Sequence, residues 1–275
     1  PFSSDGSQIS FYSSASNFVS GDTNGVIDVF IKNITTGALI RVSTDSVGTQ
    51  VNGNSWHPAF SPDGTNIAFY SEATNLVSGD TNGWGDVFVK NLSTGAVTRI
   101  STDSAGIQAN SASDVPEFSP DGTKIVFESH ATNLVAGDTN GSWDVFVKDL
   151  ISNSTVRIST GSGGEQGNAN SWNAVFSPDG TKVVFESFAS NLVENDTNGV
   201  ADIFVKNLVS GQLLRISTDS FGNQGDNHSE NPSFSPDGTK ILFSSTASNL
   251  VIGDTNGERD VFVKDLITGA ISRVS

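Results

Sequence analysis

A seven-residue acidic segment, D-T-N-G-x-x-D, occurs five times, at Asp22–Asp28, Asp80–Asp86, Asp138–Asp144, Asp196–Asp202 and Asp254–Asp260. This spacing offers oxygen atoms at alternate positions around a glycine-permitted bend, which is what a hard divalent cation requires. The first Asp, the Asn, the carbonyl two residues beyond it and the last Asp match positions three, five, seven and nine of a calcium loop. The expected calcium ligands are Asp22, Asn24 and Asp28; Asp80, Asn82 and Asp86; Asp138, Asn140 and Asp144; Asp196, Asn198 and Asp202; and Asp254, Asn256 and Asp260. Position one holds Ser20, Ser78, Ala136, Glu194 and Ile252. Only Glu194 adds a carboxylate there, so the fourth copy is the best single site. Ten aspartates crowded into five loops repel one another, and bound calcium would relieve that repulsion and raise thermal stability. The same letters also spell a plain turn. Asn-Gly is the strongest two-residue hairpin signal, the leading Asp can cap a turn through its own side chain, and the trailing Asp can simply open a strand.

A second set of residues suits ligand binding. One position that recurs along the chain carries Trp56, Asp114, Trp172 and Glu230. Indole rings stack on sugar rings, or they pack between loops. Glu128 and Glu186, with Asp114, Glu117 and Glu230, supply the paired carboxylates of glycoside hydrolysis, or they are solvated groups at loop ends. His57, His130 and His228 sit at unrelated positions, with no metal-ligand spacing. No G-x-S-x-G elbow is present.

These residues are positioned by a strict repeat. An F-S-P-D-G turn begins at Phe60, Phe118, Phe176 and Phe234, and Phe2 opens the variant F-S-S-D-G, every step being 58 residues. Each unit reads as four short strands. In the second unit they are His57–Ser61, Asn66–Ser71, Asp86–Leu92 and Val97–Ser101, divided by Pro- and Gly-containing turns. Cores such as K-I-V-F and D-V-F-V are apolar at consecutive positions, as in a sheet covered on both faces. No stretch carries apolar residues at helical spacing. Four antiparallel strands repeated five times describe an all-β, five-bladed β-propeller over residues 1–275. Five full repeats need 290 residues, 15 more than are present, and the shortfall falls on the innermost strand of the first blade. A partner chain can complete such a blade by adding a strand, which gives a route to self-association.

The repeat F-S-P-D-G-T-K-I-V-F, followed by D-V-F-V-K-D-L-x-T-G-x-x-x-R-I-S, resembles the blade of TolB-like propellers. The resemblance covers essentially the whole chain. It implies the fold; it does not fix an activity, since the repeat serves periplasmic scaffolds, peptidase gating domains and secreted proteins.

Composition narrows the partners. The net charge is −16, and ten of the 14 basic residues recur with the repeat. Nucleic acid and anionic lipid are therefore poor partners, and no apolar run approaches the ~20 residues of a membrane span. The absence of Met fits a processed, exported chain or a fragment. The turns at one end of each blade are short and uniform, whereas the acidic loop and the blade linker at the other end are long and varied. Long loops on a rigid scaffold carry function, and all four Trp lie on them. The sequence thus reads as a secreted or periplasmic, non-enzymatic binding or scaffold propeller. A protein or glycan ligand is expected at the long-loop face, with calcium tying the loops. A glycan-acting enzyme and a surface assembly protein closed by strand exchange are the alternatives.

Overall fold

The structure is a computed structural model describing every residue from Pro1 to Ser275. It contains nineteen strands and no helix. Each repeat folds as one antiparallel sheet in chain order. The first holds β1 (Gln8–Ser13), β2 (Asp28–Asn33) and β3 (Leu39–Arg41). The second holds β4 (Ser55–Phe60), β5 (Asn66–Ser71), β6 (Asp86–Asn91) and β7 (Val97–Arg99). The third is β8 (Ser113–Phe118), β9 (Lys124–Ser129), β10 (Asp144–Asp149) and β11 (Thr155–Arg157). The fourth is β12 (Ser171–Phe176), β13 (Lys182–Ser187), β14 (Asp202–Asn207) and β15 (Leu213–Arg215), and the fifth is β16 (Ser229–Phe234), β17 (Lys240–Ser245), β18 (Asp260–Asp265) and β19 (Ile271–Arg273). The first sheet lacks a full innermost strand, as the residue count requires. Phe2 alone bridges to Ile9, and Pro1 accepts a hydrogen bond from the Ser10 amide.

The chain groups into two compact units, Pro1–Asp138 with Val147–Val156, and Thr139–Phe146 with Arg157–Ser275. In the first unit a core cluster joins Val29, Ile31, Val42 and Val51 to Ile67, Phe69, Leu76 and Phe88. In the second, Val184, Ile203, Val205 and Ile216 meet Ile241, Phe243, Leu250 and Phe262 in the same way. Each core thus lies between successive sheets, which is why the strands are apolar on both faces. A fully buried Phe such as Phe69 contributes about 2–3 kcal/mol by the usual area rule.

Two devices recur with the repeat, one closing a turn within the sheet and one reaching to the preceding blade's linker. The Ser-Pro-Asp-Gly turn is closed by its own side chains. Ser61 Oγ donates to Asp63 Oδ1 at 2.6 Å, accepts from the Asn66 amide at 2.9 Å, and leaves Gly64 at φ 69°. The equivalent Asp121 and Asp237 are held down at about 2, chiefly by that serine hydroxyl. The second device is a buried lysine. Lys206 Nζ donates to the carbonyl and hydroxyl of Thr160, each at 3.0 Å, and to Gly161 O at 2.8 Å. Lys264 repeats the arrangement on Thr218 and Asp219, and Lys90 repeats it on Thr44 and Asp45.

The innermost strands begin earlier than their apolar letters suggest, at Ser55 rather than His57, because each carries a bulge. Pairing runs Trp56↔Tyr70 and resumes only at Ala59↔Ala68. The bulged residues His57, Val115, Asn173 and Asn231 have φ of 48°, 48°, 52° and 55°. Asn tolerates this left-handed region; a β-branched residue does not. Val115→Asn is therefore expected to raise stability by about 1 kcal/mol, seen as a melting temperature higher by roughly 2–4 °C. An unchanged or lower midpoint would mean that packing around Val115 outweighs the backbone strain.

Candidate functional site

The acidic loops form a repeated charge cluster in which arginine stands between the aspartates. Arg41 lies 3.2 Å from Asp22 and 3.4 Å from Asp28, and Arg99 lies 3.3 Å from Asp80 and 3.2 Å from Asp86. Arg215 spans Asp196 and Asp202 at 3.3 and 3.4 Å, and Arg273 spans Asp254 and Asp260 at 2.9 and 3.2 Å. Arg157 reaches Asp144 at 3.4 Å, and Asp138 is the last residue of the first unit's longer segment. The trailing aspartates open β2, β6, β10, β14 and β18, where Asp28, Asp86, Asp144 and Asp202 have no exposed surface. Each also accepts a short bond from a serine hydroxyl, such as Ser217 to Asp202 at 2.5 Å and Ser101 to Asp86 at 2.6 Å.

The loop asparagines serve the turn. Asn24, Asn198 and Asn256 donate to Asp28, Asp202 and Asp260, each at 3.1 Å. Asn82 and Asn140 accept through Oδ1 from the amides of Trp84 and Ser142 at 2.8 and 3.0 Å. In this arrangement an entering cation would have to compete with arginine for aspartate oxygens of the loop. Glu194 is exposed and lines a surface cleft with Glu165. Negative charge nevertheless remains in the fourth loop. Burial, and next the charge of Asp202, push Asp196 up to about 6.

The residues that change from blade to blade sit beside these loops. Placing the repeats in register leaves variable positions at the start of the first strand, at its bulge, at the end of the second strand and just before the third. In the second blade they are Trp56, His57, Tyr70 and Gly85. Trp56 stacks on Tyr70 with centroids 5.3 Å apart, and Gly85 makes room, since a Cβ there would lie 2.2 Å from the Tyr70 hydroxyl. His57 Nδ1 is bonded to Asp114 Oδ1 at 2.7 Å, and Tyr12 presents its edge to the imidazole. That bond to Asp114 raises the His57 pKa. The strand register places Asp114 opposite the buried Glu128.

The second unit has its own set. Trp172 Nε1 donates to Glu186 at 2.8 Å, and the Asn173 amide donates to the other carboxylate oxygen at 3.0 Å. Phe188 bridges Trp172 and His228 by edge contacts at 5.6 and 5.5 Å. Glu230 pairs with Arg259. Trp84 projects into solvent at 55% exposure, and Trp143 is partly buried. Of the four sequence-derived ligand residues, the structure joins Asp114 to His57, Trp56 to Tyr70, Trp172 to Glu186 and Glu230 to Arg259. Sequence reading singled out neither Tyr70 nor Arg259 as a binding residue. Alignment of the repeat units carries that signal, because Arg259 stands where other blades hold Ile27, Gly85, Trp143 and Ala201, and Tyr70 recurs only as Tyr12.

A family model for the TolB beta propeller domain matches residues 1–249. The chain belongs to this family. A curated relative is an uncharacterized protein of Agrobacterium fabrum, 24% identical over 76% of the chain and 58% of its own length. TolB from Acinetobacter baumannii aligns over 98% of the chain and 54% of its own, at 20% identity and a TM-score of 0.56. An oligogalacturonate lyase solved in complex with manganese aligns over 100% of the chain and 75% of its own, at 13% identity and a TM-score of 0.52. The chain thus spans little more than half of the curated relative and of the Acinetobacter TolB. At these identities the TolB-like fold is what is shared.

Proposed function

We propose that this TolB-family chain closes as a five-bladed ring and acts outside the cytoplasm as a non-catalytic binding module, taking a glycan or protein on its long-loop face. The observation that carries this reading is the concentration of blade-to-blade variation, within each unit, at the long-loop ends of otherwise uniform sheets. Side chains there are held ready by packing and hydrogen bonds, as with Trp56 on Tyr70 and Trp172 on Glu186. Preorganised aromatic groups lower the entropy lost on binding. The carboxylates favour binding over hydrolysis, because Glu186 is buried and already accepts two hydrogen bonds. A glycan array run beside a hydrolysis assay is expected to show retention without turnover. Trp172→Ala should weaken retention at least tenfold, a typical loss for an anchoring aromatic. Turnover lost on changing Asp114 or Glu186 would turn the reading into an enzyme.

Calcium in the acidic loops is a separate proposal. The uncompensated charge around Asp196 supports it, but an entering ion must compete with Arg215 for both carboxylates. At a hundredfold excess over its dissociation constant calcium would add ~2.7 kcal/mol, or roughly 5–10 °C in melting temperature. The gain should shrink below about pH 6 as Asp196 takes up its proton. Melting curves with calcium and with chelator that superimpose would end this proposal.

Self-association is supported by the first sheet, where β1 is paired on one side by β2 and on the other only through Pro1 and Phe2. A strand from a second copy would complete it. A strict monomer by mass in solution would remove that reading.

A further inference from the structure

Glu117 stands at a repeat position where the other blades carry Pro1, Ala59, Val175 and Ser233. It lines a cleft of about 480 Å³ within the first unit, running from the bulge residues His57 and Val115 to the short-turn ends of β4 and β8. The walls are apolar, with Phe2, Pro58, Phe60, Pro116 and Phe118 among them. Glu117 makes no hydrogen bond or ion pair, and the hydroxyls on the walls donate elsewhere. Pro58 and Pro116 have no amide hydrogen. The Ser4 hydroxyl donates to Pro62 O at 2.6 Å, and the Ser61 hydroxyl donates to Asp63 at 2.6 Å. His57, at the cleft margin, is committed through Nδ1 to Asp114.

We propose that this cleft binds an organic ammonium group on an aliphatic stem, with the Glu117 carboxylate as its counter-ion. Charge decides the class of ligand, since Glu117 is the sole acidic side chain on the walls. An anion would meet this carboxylate inside a strongly acidic protein. A bare divalent cation would find one carboxylate where it needs six or more oxygens. An ammonium supplies the missing donors, its methylenes cover the proline and phenylalanine walls, and aromatic rings add attraction for a cation. A volume of this size falls within the range of small-molecule sites. The deciding residue, Glu117, is not one of the anchors of the proposed rim site, Trp172 and Glu186, so each proposal can fail alone.

The test is a calorimetric or NMR titration of the whole chain with hexylammonium chloride, with hexanol as the uncharged control. Hexylammonium is expected to saturate, hexanol is not, and Glu117→Gln should weaken hexylammonium at least tenfold. Binding should tighten severalfold between about pH 5.5 and about pH 8.5 in the parent and much less in E117Q. His57, the other titratable side chain on the walls, is common to both proteins. A capped Gly-Lys-Gly peptide then separates the sources: tighter binding than hexylammonium marks a partner's lysine, and weaker binding marks a free amine. Equal affinity of E117Q and parent, equal binding of hexanol, or no saturation up to tens of millimolar would overturn the proposal.

Discussion

Lys148→Met is expected to destabilise the protein by about 3–4 kcal/mol, the summed cost of leaving its oxygen partners without a donor. Lys148 is 2% exposed. Its ammonium faces the Thr102 hydroxyl at 3.0 Å, Asp103 O and Asn153 O at 2.9 Å each, and the Thr155 hydroxyl at 3.1 Å. Methionine fills nearly the same volume but donates nothing, so at least two partly buried carbonyls lose a donor. Each such orphan costs about 1–3 kcal/mol. Lys32 occupies the same repeat position in β2, yet its side chain is exposed. Lys32→Met should therefore change stability by no more than about 0.5 kcal/mol. For a chain of this size the two variants should melt roughly 10 °C apart. Midpoints within about 2 °C of each other would show that the lysine cradle does not hold successive blades together.

That pair of lysines marks where sequence reading succeeds and where it stops. The 58-residue spacing fixes the strand order, and alternation of turn and apolar run places Asn66–Ser71 correctly to the residue. Periodic Arg and Asp announce pairing because both partners are letters at fixed offsets, as with Arg215 and Asp202. The lysine's partners are chiefly backbone carbonyls and a common threonine 46 residues earlier, and a bond to a carbonyl leaves no mark in the letters. The bulges at His57, Val115, Asn173 and Asn231 were hidden for a related reason. A bulge adds one residue to a strand whose neighbours are already apolar on both faces, so no alternation is broken. Only the two asparagines hint at a left-handed backbone. At the rim, Trp56 and Trp172 stand out by type, but the contact of Tyr70 with Trp56 depends on Gly85. The missing side chain at that glycine is meaningful only once the sheet is folded.

Glu117→Val should stabilise the protein, and by an amount that depends on pH. Burial pushes the Glu117 carboxyl up from 4.5 to about 7. The sign follows from linkage. Between these values the unfolded chain releases a proton that the folded chain keeps, so the folded state loses ground as pH rises through the interval, and the loss levels off above about pH 7. At ~1.4 kcal/mol per pH unit the ceiling is about 3 kcal/mol. Because part of the side chain still meets water, about 2 kcal/mol is expected near pH 8 and close to none near pH 4. Valine is the fourth blade's own choice, where Val175 faces Val184 as Glu117 faces Val126. It fits the same register. Denaturation of parent and variant at the two pH values checks this, and His57 cancels from the difference because both proteins keep it. An equal gain at both pH values would mean that the carboxyl is not desolvated in the folded chain. A pH-dependent gain would show that this blade keeps an acid at a net cost in stability where an apolar residue fits. Local breaches of packing rules of that kind collect at functional sites, and in this cleft the acid is the only group able to select a cation.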